Sequence, residues 1–408
     1  MRTVEEHQRV VADLITARAA ATVGLAEAEG LALATDVAAP LSLPVFDNSA
    51  MDGYAVLADD VAAASEAKPV KLPVAEDIPA GRVDPLTLAP GTAHRIMTGA
   101  PLPAGATAVV PVEATDGGID TVEIRSAPKP GQHVRRAGED VTAGTTVLRA
   151  GQVVTPAALG LAAALGLGSL TVQPRLRVLV MSTGSELVSA GTELQPGQIY
   201  ESNAIMLAAA VREAGGEVVA TPTSSDDVAQ FSTVLEGYYG QADLIITTGG
   251  VSAGAYEVVK DAFGAGAVEF VKVAMQPGMP QGAGRVGAAG PATSGSAGTS
   301  IITLPGNPVS ALVSFEVFVR PALRAAMGLP NPQRSRRTAV LADDLTSPKG
   351  KRQFRRGVYD PVAGTVTTYG PPASHHLRWL ASANCLLEIA EDVTEMSAGD
   401  QVQLWDLS

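Results

Sequence analysis

The stretch Asp243-Leu244-Ile245-Ile246-Thr247-Thr248-Gly249-Gly250-Val251-Ser252-Ala253-Gly254 decides the fold. Its apolar part is short and bounded by turn-forming residues, which predicts a buried strand. A strand that runs into a Thr/Gly/Ser loop is how open α/β sheets present backbone N–H groups to an anionic ligand. Glycines let the backbone approach closely, and hydroxyls add donors. A tight turn would use the same residues. A second stretch repeats the logic, however: Ile301-Ile302-Thr303 runs into Leu304-Pro305-Gly306-Asn307-Pro308-Val309-Ser310. Two such loops make Thr248, Gly249, Gly250, Ser252, Pro305, Gly306, Asn307, Pro308 and Ser310 candidate binding residues.

Outward from these loops, strands and helices alternate. Val178-Leu179-Val180-Met181 predicts a buried strand, residues 202–214 a helix, Glu217-Val218-Val219-Ala220 a strand, and 228–239 another helix. Short connections between them imply a parallel sheet with right-handed crossovers. A helix is predicted from Val309 to Met327, kinked or restarted at Pro321. The small-residue span 285–299 reads as a hairpin or surface loop.

The flanking regions differ in texture. Residues 4–20 carry apolar residues at helical spacing, and 25–38 predict a second helix leading into an extended segment. From Phe46 to Glu139, Pro and Gly recur every few residues between short β-type runs, which predicts a β-rich insertion. Pro156 suits the first turn of a short helix. Beyond Pro330-Asn331-Pro332, runs such as Thr365-Val366-Thr367-Thr368 predict a small β domain. The expected domains are therefore 1–45 with 140–172, 46–139, 173–328 and 329–408.

Composition limits the function. A chain of 408 residues suits two to four domains. With 46% hydrophobic and 17% charged residues it is a folded, soluble type. A net charge of -13 argues against nucleic-acid or anionic-membrane binding. An anionic substrate then needs a local cationic pocket or a metal ion. The single cysteine, Cys385, permits no intrachain disulfide and suits the cytoplasm. No signal-peptide pattern opens the chain, and the Ala/Leu run 157–167 is too short to span a bilayer.

Several motifs carry polar chemistry. Ser182-Thr183-Gly184-Ser185-Glu186-Leu187 follows a strand and places Glu186 as a metal ligand or general base. Asp226 and Asp227 sit at a predicted helix N-terminus, where capping alone would also account for them. Glu257 follows the first loop. Three carboxylates near phosphate-binding loops describe a Mg2+ site, because Mg2+ takes oxygen ligands and bridges to substrate phosphates. No His/Cys cluster supports zinc, and the adjacent His375 and His376 make a weak metal pair. Asp47-Asn48-Ser49-Ala50-Met51-Asp52-Gly53-Tyr54, the segment Arg95 to Pro101, and Arg135-Arg136-Ala137-Gly138-Glu139-Asp140 can each line a site. Turn chemistry, or for the last an exposed ion-pair cluster, would also explain them.

On these residues the chain resembles the molybdopterin molybdenumtransferases, the MoeA type also found as the C-terminal domain of gephyrin. The matching stretches are Asp47 to Tyr54, Met97-Thr98-Gly99-Ala100-Pro101, Gly138-Glu139-Asp140, Ser182 to Leu187, Gly249-Gly250-Val251-Ser252 and Leu304 to Ser310. They occur in the family's order. The resemblance implies an α/β multidomain protein. Its central parallel-sheet domain would be molybdopterin-binding-like, with a β-rich inserted domain, a mixed N-terminal linking domain and a C-terminal β-barrel-like domain. It implies a homodimer with sites shared between subunits. It also implies a reaction in which adenylylated molybdopterin and molybdate give molybdenum cofactor and AMP, assisted by Mg2+. Glu186, Asp226 and Glu257 would be the acids at the metal and pyrophosphate. Asp52, Thr98, Arg135 and Asp140 would form a facing wall from the partner subunit. Ser310, Arg352 and Ser374 would hold the oxyanion. Further partners would be the adenylyltransferase and apo-molybdoenzymes.

The chain departs from the family's pattern in three places. Glu257 stands where an Asp is usual, and Gln276 and Met279 stand where lysines are common. Two missing cations in an acidic chain should weaken oxyanion attraction. That leaves room for a cofactor carrier or scaffold. The adenylyltransferase reaction is a third reading, which the β-rich insertion and C-terminal β domain argue against.

Overall fold

The computed structural model describes residues 1–250, 258–263, 266–287 and 298–408. Ser252, Glu257 and most of the span 285–299 lie outside the described residues. The chain divides into two compact units. One comprises Met1–Ala34, Gly151–Val154 and Leu170–Ser408; the other comprises Thr35–Ala150 and Thr155–Ser169.

The first unit is built on the sheet the opening motif predicts. Strand Arg177–Thr183 pairs in parallel with Glu217–Ala220 on one side and with Leu244–Thr248 on the other. Leu244–Thr248 pairs in parallel with Thr299–Leu304, so both glycine loops leave the same edge of the sheet. Antiparallel strands Pro280–Val286 and Val268–Lys272 extend the sheet beyond Thr299–Leu304. They went unread in the sequence because Gln281-Gly282-Ala283-Gly284 lacks apolar alternation.

Both faces of the sheet are buried, as a parallel sheet requires. Val178, Val180, Leu244, Ile246 and Ile302 pack with Leu207, Val211, Phe315 and Val11 from helices on one face. Leu179, Met181, Ile245 and Ile301 pack with Phe231, Leu235, Val258 and Val259 on the other. Each such large side chain contributes about 1.5–3 kcal/mol by leaving water. At the start of the sheet, Arg177 donates through its backbone N–H, Nε and Nη2 to the Asp243 carboxylate at 2.8, 3.1 and 2.8 Å.

The predicted helices appear with changed ends. The first spans Val4–Leu14, closed by a reciprocal cap between Thr3 and Glu6. It stops short of residue 20 because the Leu14 carbonyl is taken by Ser300 Oγ (2.6 Å) and Arg285 Nη2 (3.1 Å). The second is one turn, Leu25–Ala28, ended by Gly30 at φ +72°. The long helix comes in three pieces: Pro308–Ser314, a π-helical Phe315–Val319 and Arg320–Ala326, with Pro321 in the first turn of the last.

Toward the C-terminus, Arg352–Asp360 pairs with both Thr365–Thr368 and Cys385–Ile389. Arg336–Leu341 and Gln401–Asp406 complete the circuit, so five strands close into a barrel. Leu341, Val366, Leu387, Val402 and Leu404 fill it. Cys385 lies among them, and burial pushes its thiol up to about 12, which makes it inert.

The second unit holds a five-stranded mixed sheet in the order Ala108–Pro111, Gly53–Val56, Ala93–Ile96, Val70–Ile78, Thr121–Ile124. Tyr54, Val56 and Val110 pack on one face, and Ala55, Ile96 and Val109 on the other. The helix Pro156–Ala164 begins with its proline in the first turn and Thr155 as cap. No helix among the described residues is long and apolar enough to cross a membrane.

Candidate active site

A cleft of about 930 Å³ opens in the first unit where the parallel strands end. Thr248, Gly249 and Gly250 supply one part of its wall; Pro305, Gly306, Asn307, Pro308 and Ser310 supply another. The glycines are required by geometry. Gly249 (φ +92°) and Gly250 (φ +63°) adopt left-handed backbone. A Cβ on Gly249 would stand 2.7 Å from the Thr183 carbonyl oxygen, and one on Gly306 would stand 3.4 Å from the Gly249 Cα. The two loops therefore meet, and bare backbone faces the cleft.

Glu186 and Asp226 both line the cleft. Asp226 is fixed by Ser185, whose N–H donates to Asp226 Oδ2 at 3.0 Å while Ser185 Oγ accepts the Asp226 N–H at 3.1 Å. Asp227, by contrast, is a cap: its side chain accepts from Gln230 N–H at 2.7 Å. The Glu186 carboxylate folds over Gly184, where a Cβ would come within 2.6 Å of Oε2. Among the described residues no group of three or more His, Cys, Asp or Glu could hold a metal. Two carboxylates nevertheless fit Mg2+, which commonly takes one or two from the protein and the rest from phosphates and water.

A third contributor was not legible in the sequence. Glu201, 8% exposed, lines the cleft beside Asn203. Its Oε1 accepts from Ser182 Oγ at 2.8 Å and from the Ala204 N–H at 2.7 Å. Ser182 has one proton, given to Glu201, so at its 3.1 Å contact with Thr248 Oγ1 the threonine is the donor. Asn203 Nδ2 donates to the Gly306 carbonyl at 2.7 Å. These contacts tie a helix start to the ends of three strands. The signal was an acid immediately ahead of a predicted helix.

The far end of the cleft is formed by Gln276, Pro277, Gly278 and Met279 together with Lys351, Ser374 and His375. Ser374 Oγ accepts from Asn307 Nδ2 at 2.9 Å, which links this end to the proline loop. Gln276 Oε1 accepts from Gln353 Nε2 at 3.1 Å and carries no charge. Lys351 forms no ion pair among the described residues. Arg352, expected here, is placed elsewhere: Glu388 (3.4 Å) and Glu391 (2.9 Å) pair with its guanidinium, as does Glu5. It lines a separate groove with Arg336 and Gln403. Lys351, the residue just before the strand Arg352–Asp360, lines the cleft in its place. Lys260 and Lys272 do not line the cleft.

Asp52, Thr98, Arg135 and Asp140 belong to the second unit and are all exposed there. Asp52 Oδ1 accepts from the Thr98 N–H at 2.6 Å and from Thr98 Oγ1 at 2.8 Å. The Thr98 N–H first, and its hydroxyl second, hold the Asp52 carboxyl below its ordinary range. Arg136 pairs with Asp47 at 2.6 Å rather than with the adjacent acids. Arg135 and Asp140 form no ion pair among the described residues.

Three family descriptions match the chain in order: the MoeA N-terminal region (domain I and II) over residues 2–166, the "Probable molybdopterin binding domain" over 179–325, and the MoeA C-terminal region (domain IV) over 338–407. Molybdopterin molybdenumtransferase 2 of Mycobacterium tuberculosis (strain ATCC 25618 / H37Rv) is 69% identical over 415 residues, covering 100% of both chains. The chain belongs to the MoeA family of molybdopterin molybdenumtransferases. Molybdopterin molybdenumtransferase 1 of the same strain is 37% identical, covering 99% of this chain and 98% of that one. Among solved structures, the molybdopterin biosynthesis MoeA protein from Pyrococcus horikosii superposes with a TM-score of 0.81 at 28% identity, covering 100% of this chain and 99% of that chain. Within this MoeA frame, the cleft described above lies in the stretch that matches the molybdopterin-binding description, joined by Lys351, Ser374 and His375 from the C-terminal region.

Proposed function

We propose that the cleft inserts molybdenum from molybdate into the dithiolene of adenylylated molybdopterin, with release of AMP, in molybdenum cofactor biosynthesis. One observation carries this reading: a single cleft joins two bare-backbone loops and two carboxylates to a lysine that has no ion pair among the described residues. The pterin nucleotide lies along the Gly249 and Pro305 loops, whose N–H groups face its phosphates. Glu186 and Asp226 would hold Mg2+, and Ser185 keeps Asp226 in place. When bound, Mg2+ would supply positive charge to neutralise phosphate oxygens. At the other end Lys351, Ser310 and Ser374 hold the oxyanion through an ammonium and two hydroxyls. The protein's main contribution is to bring two anions together in fixed orientation, which is worth several orders of magnitude in rate.

The enzyme acts as a homodimer in which Asp52, Thr98, Arg135 and Asp140 of one subunit complete the other's site. Their exposure, and the absence of ion pairs at Arg135 and Asp140 among the described residues, support this. The test is to incubate the protein with adenylylated molybdopterin and Mg2+, with and without molybdate, and follow AMP. Molybdate-dependent AMP release is expected. Tight pterin binding without release would mean a carrier instead.

A further inference from the structure

Glu316 lies in the π-helical piece Phe315–Val319, among apolar core residues Phe315, Val317, Phe318 and Val319, and is 3% exposed. A carboxylate buried there is costly unless it is paired. Its partner comes from the far end of the linker that leads to the barrel. Arg334, two residues before the first barrel strand Arg336–Leu341, donates to both carboxylate oxygens, from Nε at 2.8 Å and from Nη2 at 3.0 Å. The same Nη2 reaches Glu213 at 2.7 Å, at the end of the helix Asn203–Glu213. The linker is held as closely. Three of its carbonyls in a row accept from arginines of the helix Arg320–Ala326. Pro330 and Asn331 accept from Arg324 at 2.6 and 3.1 Å, and Pro332 accepts from Arg320 at 3.0 Å.

Neither Glu316 nor Arg334 lines the cleft, whereas the barrel reaches it through Lys351, Ser374 and His375. At the cleft the barrel is joined to the α/β part by two residue pairs, Met275 with Arg352 and Gln276 with Gln353, and by the contacts of Ser374 with Val309 and Asn307. A joint at the cleft alone would let the barrel tilt about it; the Glu316–Arg334 fork is a second fixed point, outside the cleft. Replacing a buried ion pair by apolar residues often costs no stability, so such a pair is better suited to fixing one arrangement than to holding a fold together. We propose that Glu316 and Arg334 are positioning residues: their fork, with the arginine-held linker, sets the barrel on the α/β part and so places Lys351 and Ser374 at the cleft. The consequence for turnover rests on the reading of the cleft as a molybdate-using site; the placement of the barrel does not.

Pulsed electron spin resonance reads the placement directly. Nitroxides go on Ile205→Cys, in the helix Asn203–Glu213, and on Val362→Cys, in a barrel turn; both positions are exposed, and the native Cys385 is buried. Labelled protein is diluted into unlabelled protein, so that only distances within one chain are read. The parent should give one narrow distribution. Arg334→Lys keeps the charge without the fork, and Glu316→Leu/Arg334→Met replaces the pair by apolar side chains. Both should broaden or shift the distribution, while the double variant keeps the parent's melting temperature. The KM for molybdate should rise about tenfold in both, the scale of one charged hydrogen bond. The KM for the pterin nucleotide, and kcat at saturating molybdate, should stay within about twofold. An unchanged distribution in either variant, whatever its melting temperature, would overturn the proposal. So would a broadened distribution with a normal molybdate KM, or equal rises in both KM values. If the double variant does not fold, Arg334→Lys alone is read by the same criteria. In a parent protein that does not turn over, a broadened distribution upholds the placement and rejects the reaction; an unchanged one rejects both.

Discussion

Ser185 and Asp226 hold each other by a reciprocal pair of hydrogen bonds, 3.0 and 3.1 Å long, that joins the loops after two neighbouring strands. The serine engages Asp226 through its backbone N–H at one carboxylate oxygen only. Ser185→Ala removes half of the clamp and none of the carboxylate charge. The Mg2+ concentration for half-maximal turnover is expected to rise about tenfold, as typically follows loss of a residue that orients a metal ligand. Asp226→Asn should lose more, in kcat as well. Equal Mg2+ dependence in Asp226→Asn and the parent enzyme would show that Asp226 is not a ligand.

Glu201 joins the start of the helix Asn203–Glu213 to Ser182 and, through it, to Thr248. Glu201→Gln can keep the accepting oxygen, whereas Glu201→Ala leaves a buried hydroxyl and an N–H without a partner, at about 1–3 kcal/mol. Glu201→Ala should raise the KM for the pterin nucleotide and lower the melting temperature, with Glu201→Gln near the parent in both. A Glu201→Gln enzyme as impaired as Glu201→Ala would mean that the charge itself is used.

Lys351 is the cleft's own cation, and Met279 lies across the same wall. Lys351→Met should raise the molybdate KM about tenfold or more, on the scale of a charge-assisted hydrogen bond. Met279→Lys should lower it. Steady-state kinetics at varied molybdate check both, and an unchanged KM in both variants would remove this end of the cleft from oxyanion binding.

The scaffold was legible in the sequence where its patterns are local. Leu244-Ile245-Ile246 and Ile301-Ile302 are buried strands because short apolar runs ended by Gly and Pro pack between the helices that cover both faces of the sheet. Gly249, Gly250 and Gly306 follow from the backbone's approach to a ligand. What the sequence hid is what depends on register or on distant partners. Lys351 and Arg352 are adjacent, yet only Lys351 lines the cleft while Arg352 lines a separate groove. Glu201 becomes visible only when Ser182 and Thr248 are brought together. Residues 4–20 looked like one helix because nothing local shows that Ser300 and Arg285 take the Leu14 carbonyl.

His7 supplies a pH prediction. It is fully buried against Phe318, with ring centroids 4.7 Å apart, and neither ring nitrogen has a hydrogen-bond partner among the described residues. Burial, and secondarily Arg2, lower its pKa from 6.5 to about 4. The unfolded state therefore binds a proton below pH 6.5 that the folded state refuses. Stability from neutral His7 is complete above that pH and is lost as pH falls toward about 4, by on the order of 3 kcal/mol. Thermal melting followed from pH 7 to pH 4 should fall more steeply for the parent protein than for His7→Leu. Parallel curves would show that His7 is protonated in the folded state.

The most direct measurement is anomalous scattering at the tungsten edge from crystals grown with tungstate, adenylylated molybdopterin and Mg2+. The predicted result is one peak within hydrogen-bonding reach of Lys351, Ser310 and Ser374, with pterin-nucleotide density along the Gly249 and Pro305 loops. Tungstate bound outside this cleft, or a nucleotide bound away from those loops, would contradict the account.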